Sequence, residues 1–191
     1  MIISIDGNIG SGKSTILDEL KKRGYHVFKE GTDKWYDILE SFYENKSRWA
    51  FTLQVSILQD MHEKYMEASK INDDVIFFER NPITSLLFVQ NSFENNHLNN
   101  VELKHYMQLH KLLSWHPDKI IKLDVPSSTC YERILSRKDP ATKTGLNLEY
   151  VKMLEQKYKN IHDESVDGSK PINEVVNAIL EKIDFKNPSS G

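Results

Sequence analysis

Eight residues near the start of the chain, Gly7-Asn8-Ile9-Gly10-Ser11-Gly12-Lys13-Ser14, constrain its fold more than any other stretch. They match G-x-x-x-x-G-K-[ST], a loop whose glycines let successive backbone N–H groups converge on an anion. Ahead of the loop, Ile2 to Asp6 reads as a short buried strand. Behind it, from Ser14, the apolar positions Ile16, Leu17 and Leu20 recur at helical spacing until Gly24 supplies a stop. Strand, glycine loop and helix in that order turn a helix N-terminus, the positive end of its dipole, toward bound phosphates. Lys13 would reach the β- and γ-phosphates and the Ser14 hydroxyl would ligate Mg²⁺. The expected ligand is a nucleoside triphosphate, ATP or GTP, held by Gly7, Asn8, Ile9, Gly10, Ser11, Gly12, Lys13, Ser14 and Thr15.

Further along, strands and helices alternate. Tyr25 to Phe28 reads as a second strand, Val75 to Phe78 as a third and Lys119 to Pro126 as a fourth. Helices are expected from Trp49 to about Lys70, Ile83 to Val89, Val101 to Leu113 and from Ser128 to Arg137, with QNSFENNHLNN (90–100) as an asparagine-rich loop. This pattern predicts an α/β fold in three layers, a mostly parallel sheet of four or five strands with helices on both faces. With 191 residues the chain can bury a core without disulfides. One domain over residues 1–186 is expected, with 187–191 a disordered end. A net charge of −3 with interspersed signs gives no broad positive field for a nucleic acid, and no apolar run approaches the roughly 20 residues that span a bilayer. The single cysteine, Cys130, points to a reducing, cytoplasmic compartment.

Ligands of such sheets bind at the carboxyl ends of the strands, where Glu30 and the pair Glu79-Arg80 fall together with the glycine loop. No N-K-x-D follows a strand, which argues against a GTPase switch, and the third strand ends in FFERN rather than in the aspartate of many motor ATPases. Phosphoryl transfer needs a metal, a cation on the moving charge and a group that orients the acceptor hydroxyl. Glu79 could hold Mg²⁺ through water, Arg80 a substrate oxygen, and Glu30 the hydroxyl; alternatively, the charges at 79 and 80 only mark the end of the sheet. In the helix after Trp49, Ala50, Leu53, Gln54, Ile57 and Met61 share one face, so Gln54 lies within an apolar stripe. A nucleobase edge would satisfy its amide with two hydrogen bonds; backbone or water at the margin of the stripe is the alternative.

These stretches together resemble the deoxyribonucleoside kinases, the family of the thymidine, deoxycytidine and deoxyguanosine enzymes. IDGNIGSGKST is similar to that family's P-loop, EGTDKW to its glutamate-x-x-x-x-tryptophan element, FYENKSRWAFTLQ to its tyrosine, arginine-tryptophan and glutamine segment, and FFERN to its Glu-Arg-Ser motif. The order and approximate spacing agree from Ile2 to about Lys159. The resemblance implies a P-loop kinase fold with a helical lid, ATP as donor, Mg²⁺, and the 5′-hydroxyl of a deoxyribonucleoside as acceptor. It implies that Glu30 takes or orients the hydroxyl proton beside Arg80, that Glu79 supports the metal, and that Trp35 packs on the substrate. Tyr43 would reach the 3′-hydroxyl, and Gln54 would read the base between Leu53, Ile57, Met61 and Ser85. Arg133 and Arg137, four residues apart on one helix face, resemble lid arginines that close on the phosphates; a solvated basic face is the other possibility. A homodimer is expected.

Several positions depart from the family's pattern. Gly31 stands where proline is common, and Asn81 where serine is usual. Met61 and Ser85 are uncharged where relatives that favour deoxycytidine and purines carry arginine and aspartate, which resembles the thymidine-accepting branch. Lys143 lies near the place of a lid glutamate that reaches the sugar, and DGSKPINEVVNAIL looks more like the adenine-side loop of thymidylate kinases. The expected activity is a pyrimidine-preferring, thymidine-accepting kinase of nucleotide salvage. A thymidylate-type monophosphate kinase is the nearest alternative, with Lys29, Lys34 or Arg48 as the cation for a second phosphate. A P-loop ATP-dependent switch is the alternative from another class.

Overall fold

The computed structural model describes residues 1–137 and 145–183. Strands β1 (Ile2–Asp6), β2 (His26–Phe28), β3 (Ile76–Glu79), β4 (Lys119–Asp124) and β5 (Glu164–Asp167) form one sheet in the order β2-β3-β1-β4-β5, with every pairing parallel. A parallel sheet must be covered on both faces, and the alternation along its strands shows how. Ile3, Ile5, Phe77, Ile121 and Leu123 pack against Ile16, Leu17 and Leu20 of α1 (Lys13–Lys22) and Val175, Val176 and Ile179 of α8 (Ile172–Ile183). On the other face Ile76 and Phe78 meet Trp115 and Ala68 at the end of α3 (Lys46–Ala68).

Beyond that face lies a helical layer. Ala50 and Leu58 of α3 form a second cluster with Val89 of α4 (Pro82–Glu94) and Tyr106 of α5 (Asn100–Leu113). α2 (Tyr36–Glu44) lies along α3, and α6 (Ser127–Ser136) along α7 (Leu148–Lys157), where Cys130, Ile134 and Val151 are fully buried. None of the helices of the described residues is long and apolar enough to cross a membrane.

The structure alters several expectations. The chain between Phe28 and Trp49, for which no element was expected, holds a 3-10 turn (Thr32–Trp35) and α2, whose side chains are all at least partly exposed. α3 starts three residues earlier than expected, because the Asn45 side chain accepts from the Arg48 N–H at 3.1 Å and caps it. α4 runs on to Glu94, so the first half of the expected asparagine-rich loop is helix; Asn91 and Ser92 are buried there. Beyond Arg137 the sequence pattern predicts no individual element, whereas α7, β5 and α8 follow. β5 escaped because an edge strand with one buried apolar residue, Val166, carries no periodic signal. Lys143 and the end 187–191 lie outside the described residues.

Candidate active site

The glycine loop begins where β1 stops. Asp6, fully buried, accepts from the Gly7 N–H at 2.9 Å, from the Thr84 hydroxyl at 2.5 Å and from Asn81 Nδ2 at 3.1 Å, so the base of the loop is braced against the start of α4. At Gly10, φ is +84° and a Cβ would lie 2.4 Å from the Cys130 carbonyl oxygen, so only glycine fits. Lys13 Nζ donates to the Gly7 and Asn8 carbonyls at 3.1 and 2.9 Å. Burial lowers its pKa to about 8, and the Arg80 charge adds to the drop. Arg133 Nη1 donates to the Ser11 carbonyl at 3.1 Å, so this arginine touches the loop; Arg137 does not share its helix face, because α6 ends at Ser136 and Arg137 is extended, yet it lines the cavity that the loop opens into. Asn8 turns its amide away, to the Val151 carbonyl, and Thr15 is exposed on the first turn of α1 and outside the cavity wall.

Glu30, Glu79 and Arg80 converge beside the loop because β2, β3 and β1 are neighbours in the sheet. The Ser14 hydroxyl donates to Glu79 Oε1 at 3.0 Å, and the other Glu79 oxygen accepts from the Glu30 N–H at 3.3 Å. Arg80 has φ +65°, the left-handed region that a side-chain-bearing residue rarely adopts, and its N–H returns to the Ile5 carbonyl at 3.1 Å. That turn aims its guanidinium over the Phe88 ring and sets Nε 3.4 Å from Glu30 Oε1. Burial raises the Glu30 pKa; Arg80 opposes the rise and Glu79 adds to it.

A cavity of about 1030 Å³ extends from Lys13 and Ser14 past these residues into the helical layer. Trp35, Tyr43, Leu53, Gln54, Ile57 and Ser85 all line it. Gln54 is 5% exposed within that wall. Ser85 donates to the Pro82 carbonyl at 2.7 Å. Met61 is the exception: it is buried but not part of the wall, since it lies roughly 10 Å further along the helix axis than Gln54, where its carbonyl accepts from Trp115 Nε1.

Phe88, Asn91 and Tyr150 line the cavity without having been singled out from the sequence. Phe88 and Asn91 follow Ser85 at steps of three residues, so helical spacing carried a signal, which at Asn91 the asparagine-rich composition obscured. Tyr150 comes from α7, which no pattern had marked.

A family model described as deoxynucleoside kinase matches residues 3–189. The chain is 34% identical over 158 residues to the "Putative kinase protein 143R" of Invertebrate iridescent virus 6, covering 82% of this chain and 80% of that protein. It is 28% identical over 195 residues to the deoxycytidine kinase of Homo sapiens, covering 83% and 74%. Among solved structures, a deoxyadenosine kinase from M. mycoides with dCMP and dCDP bound superposes with a TM-score of 0.82 at 24% identity, over 95% of this chain and 98% of that one; at this identity the likeness is one of fold. The matched residues contain both the glycine loop and the Glu30, Gln54 and Glu79-Arg80 segments that share its cavity, and the chain belongs to the deoxynucleoside kinase family.

Proposed function

We infer that the chain transfers the γ-phosphoryl group of ATP to the 5′-hydroxyl of a deoxyribonucleoside, prefers pyrimidines and accepts thymidine. The observation that carries this is the position of Glu30, between the Lys13 loop and the cavity bordered by Gln54, with its carboxylate 3.4 Å from Arg80 Nε. As the acceptor oxygen bonds to phosphorus and the bond to the ADP oxygen breaks, Glu30 takes the hydroxyl proton. Its raised pKa fits a base that must accept a proton without a large penalty. Lys13, Arg80, Arg133 and Arg137 stabilise charge on the transferring group, and catalysis is mainly positioning and electrostatics.

The donor set fits a hard cation. The Ser14 hydroxyl and the Glu79 carboxylate, hydrogen-bonded at 3.0 Å beside the phosphate cradle, are oxygen donors of the kind Mg²⁺ takes and would hold it directly or through water. Bound there with the nucleotide, Mg²⁺ would neutralise phosphate charge. In the cavity, Gln54 would pair with the base edge, Leu53 and Ile57 flank it, Trp35 pack on the substrate and Tyr43 reach the sugar. Uncharged Ser85 leaves room for a 5-methyl group. Of the three cations considered for a substrate that already carries a phosphate, Lys34 and Arg48 lie outside the cavity wall, and Lys29, on the wall, is paired with Asp18 at 3.0 Å. That supports a hydroxyl acceptor over a thymidylate-type one. The reading keeps a homodimer, which sedimentation tests.

Purified protein with ATP and Mg²⁺, offered each deoxynucleoside and each monophosphate, tests the proposal. Thymidine and deoxycytidine are expected to be phosphorylated, and Glu30→Gln to lower kcat by about 10²–10⁴-fold. Turnover of dTMP but not of thymidine would overturn the acceptor assignment.

A further inference from the structure

The stretch that carries Glu30 leaves the sheet after Phe28 and has no strand beside it to satisfy its backbone. Side chains do so instead. Lys64 Nζ donates to the Lys29 carbonyl at 2.6 Å, Glu79 accepts from the Glu30 N–H at 3.3 Å, and Asp60 Oδ2 accepts from the Gly31 N–H at 3.2 Å. Asp60 and Lys64 are one turn apart on α3 and paired with each other, while Lys34 reaches Asp60 Oδ1 at 3.2 Å from beyond the turn. The Asp60 side chain is only 6% exposed, an expensive place for a carboxylate that no apolar stripe requires.

Gly31 completes the arrangement. A Cβ there would lie 2.8 Å from both Asp60 oxygens and 2.9 Å from Lys64 Nζ, and a proline would also remove the N–H that Asp60 accepts. The geometry points to Asp60, seated by Lys64, as the positioning residue for Glu30: it touches neither cavity nor cradle, and acts by fixing the peptide on the carboxyl side of the catalytic glutamate. α3 thereby carries the amide that borders the substrate, Gln54, and the carboxylate that orients the base, so the two ends of the acceptor are referenced to one rigid element. A misplacement on the order of 1 Å costs roughly 10²-fold in such a site.

The inference rests on Glu30 acting as the base, and the test separates the two. Asp60→Ala is expected to lower kcat for thymidine by about 30–100-fold with the KM for ATP unchanged within about twofold, because the Lys13 loop is not involved. Asp60→Asn keeps an acceptor for the Gly31 N–H and loses only the charge, so it should fall between wild type and Asp60→Ala; it also serves if Asp60→Ala does not fold. Combined with Glu30→Gln, either substitution should cost almost nothing further, since its effect runs through a carboxylate already removed. A wild-type rate for Glu30→Gln would overturn the role of Glu30 itself. An impaired Glu30→Gln beside a fully active Asp60→Asn and Asp60→Ala, or losses that multiply in the double variant, would overturn the positioning role alone.

Discussion

Lys13 is the residue whose chemistry is most altered by where the chain puts it. The residue is 4% exposed, its ammonium is held by two carbonyls, and its pKa falls from an ordinary 10.5 to about 8. The folded protein therefore binds this proton less tightly than the unfolded chain, and Lys13 makes the ligand-free fold more stable as pH rises from about 8 to 10.5. Phosphates in the cradle would reverse the shift by favouring the ammonium. ATP binding near pH 9 is then expected to take up about one proton, and near pH 6.5 about none, with affinity falling as pH rises above about 8. Calorimetry in buffers of different ionisation enthalpy measures this directly, and a heat independent of buffer at pH 9 would contradict it. Arg80 is altered in its backbone rather than its charge. A left-handed conformation at a non-glycine residue costs on the order of 1–3 kcal/mol, and here it turns a guanidinium from the end of β3 onto Glu30.

At the scale of elements, the junction of β3 and α4 shows why the asparagine at 81 is not a casual replacement for serine. Its Oδ1 accepts from the Ile83 and Thr84 N–H groups at 2.9 and 3.1 Å and caps α4, while Nδ2 donates to Ser4 and Asp6 at 2.8 and 3.1 Å. A serine hydroxyl could cap but not span both directions. Asn81→Ala is expected to destabilise the protein by about 2–3 kcal/mol, the sum of a lost cap and a buried Asp6 oxygen short of a donor. Urea unfolding would read it as a lower midpoint at unchanged slope. Much of this layer was legible: β1, the loop and α1 from the glycine spacing, β3 and β4 from continuous apolar runs, and Glu30, Glu79 and Arg80 from their place at strand ends. α2 was not, because its apolar residues sit half-buried at a cavity wall rather than on a core stripe. Asp60 was not either, because a single charge on a long helix looks the same whether it faces water or clamps a neighbouring loop.

The molecule as a whole is a sheet with a filled face under α1 and α8 and, on the other side, a cavity held between the strand ends and the layer of α2, α3, α4 and α7. The glycine loop with Lys13 is built on the sheet, and the cavity walls beyond Glu30 belong mostly to the helices; under the proposed function the first holds the donor and the second the acceptor. Each substrate should then stabilise the protein by its own route. A ligand at a hundred times its dissociation constant adds about 2.7 kcal/mol, which for a chain of this size raises the unfolding midpoint by roughly 5–10 °C. Thermal melts with Mg²⁺-ATP and with thymidine should each show such a shift. Gln54→Leu should keep the ATP shift and lose most of the thymidine shift, because the substitution fills the same space and removes only the hydrogen-bonding amide. Losing both shifts would mean that α3 is misfolded, which the ATP arm and a far-ultraviolet spectrum detect. Keeping both would mean that the base is held elsewhere in the cavity, where Asn91 and Tyr150 are among the polar groups on the wall.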